Sequence, residues 1–167
     1  VLRVLLLRAL AAVLAEPWWP GEHDGRDVVV VVDRSRSMPP GLDAARELFA
    51  SVGDALQPGD RLGLVTFGQK PVVLATPRPA ASWPDGERAV DGDGSDLAAA
   101  VIAGAALVPP GRHGSLLLWS DGEHHGGDLD AAARAVVRAG LRVDTWHTAR
   151  AAGADVAVAD LQAPSEV

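Results

Sequence analysis

The chain has 167 residues, 48% of them hydrophobic, which is enough for one domain with a hydrophobic core. Its formal net charge is −7 and no cluster of Lys and Arg stands out, so the composition argues against binding to nucleic acid. The absence of cysteine excludes disulfides, thiol catalysis and zinc–thiolate sites. Composition therefore indicates a folded, acidic domain.

The first predicted element is an apolar helix over residues 1–20, which we interpret as the end of a membrane anchor. Arg3 and Arg8 lie on its N-terminal side, and Trp18 and Trp19 lie at the other end. This arrangement is typical of a helix that leaves the cytoplasm through an aromatic interfacial belt. The uncharged run is short, however, because a membrane span needs about 20 apolar residues. A signal peptide and an amphipathic surface helix stay open as alternatives.

A polar linker at residues 21–26 precedes a domain that we place at residues 27–154. The unbroken run of valines predicts a central parallel strand buried on both faces. The predicted strands are 28–32, 61–67, 71–76, 115–119 and 141–146, and the predicted helices are 42–56, 96–108 and 129–139. This alternation indicates an α/β fold, a doubly wound and mostly parallel sheet with helices on both faces. The tight turn before residue 71 predicts one antiparallel edge strand.

The segment at residues 155–167 breaks this alternation. It contains DVAVADL, another apparent strand, only a few residues after the strand that ends at Trp146. A parallel crossover needs about a dozen residues or more. We therefore expect residues 155–167 either to add an antiparallel edge strand or to leave the domain.

Oxygen-bearing side chains cluster at the predicted carboxyl ends of strands. Asp33, Ser35 and Ser37 follow the first strand, Ser95 lies in a loop that opens a helix, and Asp121 follows the fourth strand. In open parallel sheets, ligands bind at these ends, near the point where the strand order reverses. Two carboxylates with several neutral hydroxyls suit a hard divalent cation, so the pattern favours Mg²⁺ or Mn²⁺ over zinc.

Taken singly, these residues have simpler explanations. Ser and Asp are common in turns and at helix N-caps, so Asp43 could cap the first helix and Ser95 the second. His124 and His125 suggest zinc, but adjacent histidines point apart and no H-x-x-x-H spacing accompanies them. Only the combination of several segments favours a metal site.

Nucleophilic chemistry has weaker support in the sequence. Asp33 could serve as the nucleophile of a phosphohydrolase, but that chemistry usually needs a second acid two residues later, where Ser35 stands. No G-x-S-x-G motif surrounds a serine, and neither G-x-G-x-x-G nor a phosphate-binding loop is present.

The motifs resemble those of a known family. DRSRS at residues 33–37 resembles the D-x-S-x-S signature of von Willebrand factor type A (VWA) domains, their metal-ion-dependent adhesion site (MIDAS). GDGSDL resembles the family's Thr-bearing loop, with Ser95 in place of Thr, and WSDG resembles the strand-end motif that would supply Asp121. The three segments occur in the family's order, which makes the match more specific than any single motif.

The resemblance implies a Rossmann-like VWA fold and a role for each site residue. Ser35 and Ser37 would ligate the metal through their hydroxyls, Ser95 would take the Thr position, and Asp33 and Asp121 would hold the ion directly or through water. A partner protein's Asp or Glu carboxylate would fill the open coordination position. The expected function is divalent-metal-dependent protein–protein interaction in adhesion or assembly, without catalysis. A Mg²⁺-dependent phosphohydrolase that uses Asp33 and a structural VWA domain without metal are the alternatives.

The flanking segments resemble membrane-anchored bacterial proteins of the aerotolerance-operon type and their larger relatives. The N-terminal VLRVLLLRALAAVLAEPWWP leads straight into the domain, as the anchor does in those proteins. In the larger relatives a β-sandwich segment follows the VWA domain, and residues 155–167 resemble its beginning. The resemblance implies an envelope protein whose VWA domain lies outside the cytoplasmic membrane, and it leaves the oligomeric state open.

Overall fold

A computed structural model describes residues 25–38, 42–86 and 89–148. The elements in these ranges are β1 (Arg26–Asp33), α1 (Asp43–Ala55), β2 (Arg61–Phe67), β3 (Pro71–Arg78), α2 (Leu97–Ala105), β4 (His113–Ser120), α3 (Leu129–Arg138) and β5 (Arg142–His147). Every strand and helix predicted within these ranges is present, with ends that differ by a few residues. The predicted helix at 1–20, most of the linker and the segment 155–167 lie outside the described residues.

The strands form one sheet in the order β3-β2-β1-β4-β5. β1 pairs in parallel with β2 and with β4, β4 pairs in parallel with β5, and β3 is antiparallel to β2. The chain therefore builds outward from β1 to β3 and then returns to place β4 on the other side of β1. The strand order reverses between β1 and β4, so their carboxyl ends border the position where ligands bind in open α/β sheets.

The valines of β1 belong to two separate cores because successive side chains of a strand point to opposite faces. Val29 and Val31 pack on one face in a cluster that includes residues of α2 and α3. Val28, Val30 and Val32 pack on the other face in a cluster that includes Ala45 and Phe49 of α1. The fold thus has helices on both faces of the sheet, as predicted, and β1 is buried from Asp27 to its last residue, Asp33.

An ionic cluster lies at the amino ends of β1 and β2, opposite the carboxyl ends that border the ligand position. Asp27 is fully buried, and it accepts hydrogen bonds from Arg61 Nε at 2.7 Å and from Arg112 Nε at 3.0 Å. Burial by itself would raise the pKa of Asp27, but the hydrogen bonds and positive charges of Arg61 and Arg112 outweigh it and lower that pKa. Arg26, assigned to the linker from sequence, begins β1 and forms an ion pair with Asp60 at 3.5 Å.

Candidate functional site

Asp33, the last residue of β1, is the centre of a hydrogen-bonded network. The residue is only 2% exposed. Oδ1 accepts the backbone N–H of Ser35 at 2.8 Å, and Oδ2 accepts the hydroxyls of Ser120 at 2.7 Å and Ser95 at 3.2 Å. One carboxylate therefore joins the loop after β1, the loop before α2 and the end of β4.

Ser35 and Ser37 lie in the turn that follows β1. Their Oγ atoms are 3.0 Å apart, and the backbone N–H of Met38 closes the turn by donating to Ser35 O at 3.1 Å. Ser35 is buried and Ser37 is half-buried. The alternation of the D-x-S-x-S segment brings the two hydroxyls together, as expected, although Asp33 itself still belongs to the strand.

The loop that carries Ser95 is fastened to its neighbours through backbone hydrogen bonds. Gln69 N donates to Asp91 O, Asp96 N donates to Gly68 O, and His125 N donates to Ser95 O, each at 2.8 Å. A Cβ atom at Gly68 would lie 2.0 Å from Asp91 O, so this close approach requires glycine. The packing holds Ser95, which is 2% exposed, against Asp33.

The helix caps differ from the alternatives that the sequence left open. α1 begins after Leu42 with no side-chain cap, so Asp43 does not cap it. The N-cap of α2 is Asp96, whose side chain accepts from Ala99 N at 2.9 Å. Ser95 does not cap α2, because its hydroxyl donates to Asp33. The capping explanation of Ser95 was therefore wrong, and its side chain belongs to the network.

Ser120 is a member of the network that sequence reasoning missed. It is buried at the end of β4, donates to Asp33 and accepts the backbone N–H of Gly122 at 3.0 Å. The signal was its position directly before Asp121 in WSDG, at the end of a strand that pairs with β1.

Asp121 follows Ser120 in the turn after β4. Its Oδ1 accepts the backbone N–H of Glu123 at 3.1 Å, whereas its Oδ2 is buried without a hydrogen-bond partner among the described residues. A buried carboxylate oxygen without a partner is costly unless a ligand satisfies it. This orphaned oxygen fits a site that holds a cation.

A pocket of about 290 Å³ opens above the network. Its lining comes from the three loops and comprises Ser35, Arg36, Ser37, Gly92, Asp93, Gly94, Ser95, Glu123 and His125. Three of the five predicted ligands, the serines, thus border the pocket. Asp33 lies beneath them and accepts the backbone N–H of Ser35 and the hydroxyl of Ser95, whereas Asp121 is not among the lining residues.

The oxygen donors fit a hard divalent cation such as Mg²⁺. Among the described residues, no group of three or more His, Cys, Asp or Glu side chains is arranged to hold a metal. A metal here would therefore depend on the hydroxyls of Ser35, Ser37 and Ser95 together with few carboxylates.

The two histidines have separate surroundings. His125 lines the pocket, whereas His124 Nε2 lies 2.7 Å from Gly127 O, a carbonyl oxygen that accepts a hydrogen bond from it. His124 is therefore engaged with its own loop. This divergence agrees with the expectation that adjacent histidines point apart.

Comparison with known proteins bears on the family. A profile of the von Willebrand factor type A domain matches residues 28–123, which contain all five predicted ligands. No curated protein matches the sequence. Among solved structures, an aerotolerance-related membrane protein from Bacteroides fragilis is 21% identical, with a TM-score of 0.58 over 72% of this chain and 66% of that chain.

Two further structures share the fold. BatB from Bacteroides thetaiotaomicron is 22% identical, with a TM-score of 0.59 over 72% of this chain and 65% of that one. The matched region is slightly less than two thirds of either Bacteroides chain. Proximal thread matrix protein 1 from the mussel byssus, solved with a zinc-occupied MIDAS motif, is 14% identical, with a TM-score of 0.56 over 72% and 35% of the two chains. Since the family profile covers more than half of the 167 residues and the fold agrees, the chain belongs to the von Willebrand factor type A domain family.

Proposed function

We propose that this VWA domain binds a partner protein through a divalent cation held at the pocket, and that the cation is Mg²⁺ or Mn²⁺. The observation that carries the proposal is the network around Asp33, which brings three serine hydroxyls to the rim of one pocket. Ser35, Ser37 and Ser95 would hold the ion through their hydroxyls, with Asp33 and Asp121 acting directly or through water. An Asp or Glu carboxylate of the partner would complete its coordination.

The arrangement of charge supports a role in binding a carboxylate. Both oxygens of Asp33 already accept hydrogen bonds, so this residue neutralises the cation only in part. An ion surrounded mainly by neutral hydroxyls keeps positive charge and attracts a further anion. The zinc-occupied MIDAS of the mussel protein supports divalent-metal binding in this fold. The all-oxygen donor set favours Mg²⁺ or Mn²⁺ here.

Thermal unfolding with and without cation tests the proposal. At free Mg²⁺ or Mn²⁺ about 100-fold above its dissociation constant, binding should stabilise the folded state by about 2.7 kcal/mol, which raises Tm by on the order of 10 °C. Ser37→Ala should lose this shift because it removes one hydroxyl ligand. Ser51→Ala, at an exposed position of α1, is the matched control and should keep it. No shift in the wild-type domain would indicate a VWA domain that folds and functions without metal.

The geometry disfavours the alternative in which Asp33 attacks a phosphate ester. A nucleophilic carboxylate must reach the phosphorus atom, but Asp33 is 2% exposed and both of its oxygens accept hydrogen bonds. The serines lie between it and the pocket. We therefore propose a binding domain without catalytic activity.

We further propose that residues 1–20 anchor the protein in the bacterial cytoplasmic membrane, with the VWA domain on the outer side. The argument is the order of arginines, apolar residues and tryptophans in that segment. The membrane-protein description of the Bacteroides fragilis structure supports this location. In the described part of the chain, no helix is long and hydrophobic enough to cross a bilayer.

A topology reporter tests this location. A phosphatase that is active only outside the cytoplasm, fused after Val167, should be active in a bacterial host and should sediment with membranes. Deletion of residues 1–20 should abolish that activity. If the active phosphatase were found in the soluble envelope fraction, residues 1–20 would be a cleaved signal peptide. If the fusion stayed in the cytoplasm and was inactive, they would form a surface helix.

A further inference from the structure

One basic side chain, Arg36, is presented at the wall of the pocket. It lies between the two serines of the loop after β1, and its side chain is 82% exposed. Its backbone N–H donates to Gly92 O at 3.1 Å, which fixes the residue against the loop that carries Ser95. A Cβ atom at Gly92 would lie 3.1 Å from Arg34 O, so the two loops are in close contact here. Arg36 is thus built into the rim, and it does not extend from a mobile tail.

The guanidinium of Arg36 is only partly engaged. Its NH1 lies 2.7 Å from Asp93 Oδ1, which is its one salt bridge among the described residues. Asp93 is itself 52% exposed, so solvent or a ligand can reach both partners. A guanidinium carries five N–H donors in a planar fork that matches a carboxylate. Arg36 therefore keeps donors available for a second acid.

An acidic side chain of the pocket wall makes this basic group significant. Asp93 lines the pocket and is 52% exposed. A partner that offers a carboxylate to the metal must bring it past this acid. Arg36 is the side chain of the lining that carries a permanent positive charge and can offset Asp93.

From these contacts we infer that Arg36 determines specificity, by binding a second carboxylate on the partner next to the one that reaches the metal. The inference rests on the proposed function, because it concerns the partner of the same pocket. Asp93 acts as the internal competitor: it occupies Arg36 in the free domain, and the partner's second acid shares or replaces it. The preferred partner is a protein segment with two acidic residues close together.

Immobilised peptides test this specificity. The probes are blocked pentapeptides with Asp at the centre and Glu at one neighbouring position, compared with the same peptides carrying Gln in place of Glu. Binding of the wild-type domain is measured by surface plasmon resonance in Mg²⁺ and in EDTA. We expect Mg²⁺-dependent binding to both kinds of peptide, with the two-acid peptides bound on the order of fivefold more tightly, as an exposed ion pair would provide.

Two variants assign that preference to the ion pair. Arg36→Gln should remove the preference for two acids, whereas Mg²⁺-dependent binding of the one-acid peptides should persist. Asp93→Asn should increase the preference, because it removes the competitor. Arg138→Gln on the exposed surface of α3 makes the same charge change away from the pocket and should keep the wild-type preference.

The possible failures are distinguishable. If the wild-type domain binds both peptides equally in Mg²⁺, or if Arg36→Gln keeps the preference, the role of Arg36 is overturned while the metal-dependent binding of acids stands. If no peptide binds in a Mg²⁺-dependent manner, the proposed function fails, and this inference fails with it.

Discussion

Asp33→Asn is expected to abolish the heat of Mg²⁺ binding and to lower the free energy of unfolding by about 2 kcal/mol. The amide keeps the size of the carboxylate but loses its charge and one acceptor. At least one of the donors that now point at Asp33, from Ser35, Ser95 and Ser120, would lose its partner in a buried setting. Calorimetric titration measures the metal effect, and urea unfolding measures the stability effect.

Two other variants serve as a control and as a test of how Asp33 is oriented. Asp43→Asn removes a carboxylate that is 88% exposed on α1, so both measurements should remain at the wild-type values. Ser120→Ala keeps all five predicted ligands but removes a hydroxyl that orients Asp33, and it should weaken metal binding about 10- to 100-fold. If Mg²⁺ titration of Asp33→Asn released the same heat as titration of the wild type, any bound cation would lie elsewhere.

Asp27→Asn is expected to lower the free energy of unfolding by about 3 kcal/mol without changing metal binding. The substitution leaves the positive charges of Arg61 and Arg112 close together without the carboxylate that neutralises them. Both guanidinium side chains stay about 30% exposed, so water offsets part of the loss. Urea unfolding at neutral pH measures the effect.

The same variant has a predicted pH dependence. Since the folded protein lowers the pKa of Asp27, the stabilisation is fully present above the pKa that this carboxyl has in the unfolded chain. It is lost as the pH falls through the lower, folded-state value. The difference in unfolding free energy between wild type and Asp27→Asn should therefore be constant near neutral pH and should narrow in acid below about pH 4. A difference that widened in acid would contradict the assignment of the ion cluster.

The sequence was sufficient to predict the fold because its patterns are strong and local. A β-branched run of valines can hardly be anything but a central strand, and the short Gly-Gln-Lys turn left little choice for β3 except antiparallel pairing. The D-x-S-x-S spacing likewise brought Ser35 and Ser37 together. These features depend on a few consecutive residues, so one sequence reveals them.

Long-range register was what the sequence could not provide. Asp27 meets Arg61 only because β1 and β2 align these residues, and Arg112, which also binds Asp27, lies 85 positions after it in the chain. Capping of the second helix stayed open as an alternative for Ser95 because a hydroxyl before a helix often caps it, whereas the acceptor that its side chain meets lies on another strand. Ser120 was missed because its acceptor, Asp33, also lies on another strand.

Anomalous diffraction from crystals grown with Mn²⁺ tests the central claim most directly. We predict one strong Mn²⁺ peak bordered by the hydroxyls of Ser35, Ser37 and Ser95, with one coordination position open towards the pocket. The peak should be absent from crystals of Asp33→Asn. A Mn²⁺ peak away from these serines, or its persistence in the variant, would contradict the account.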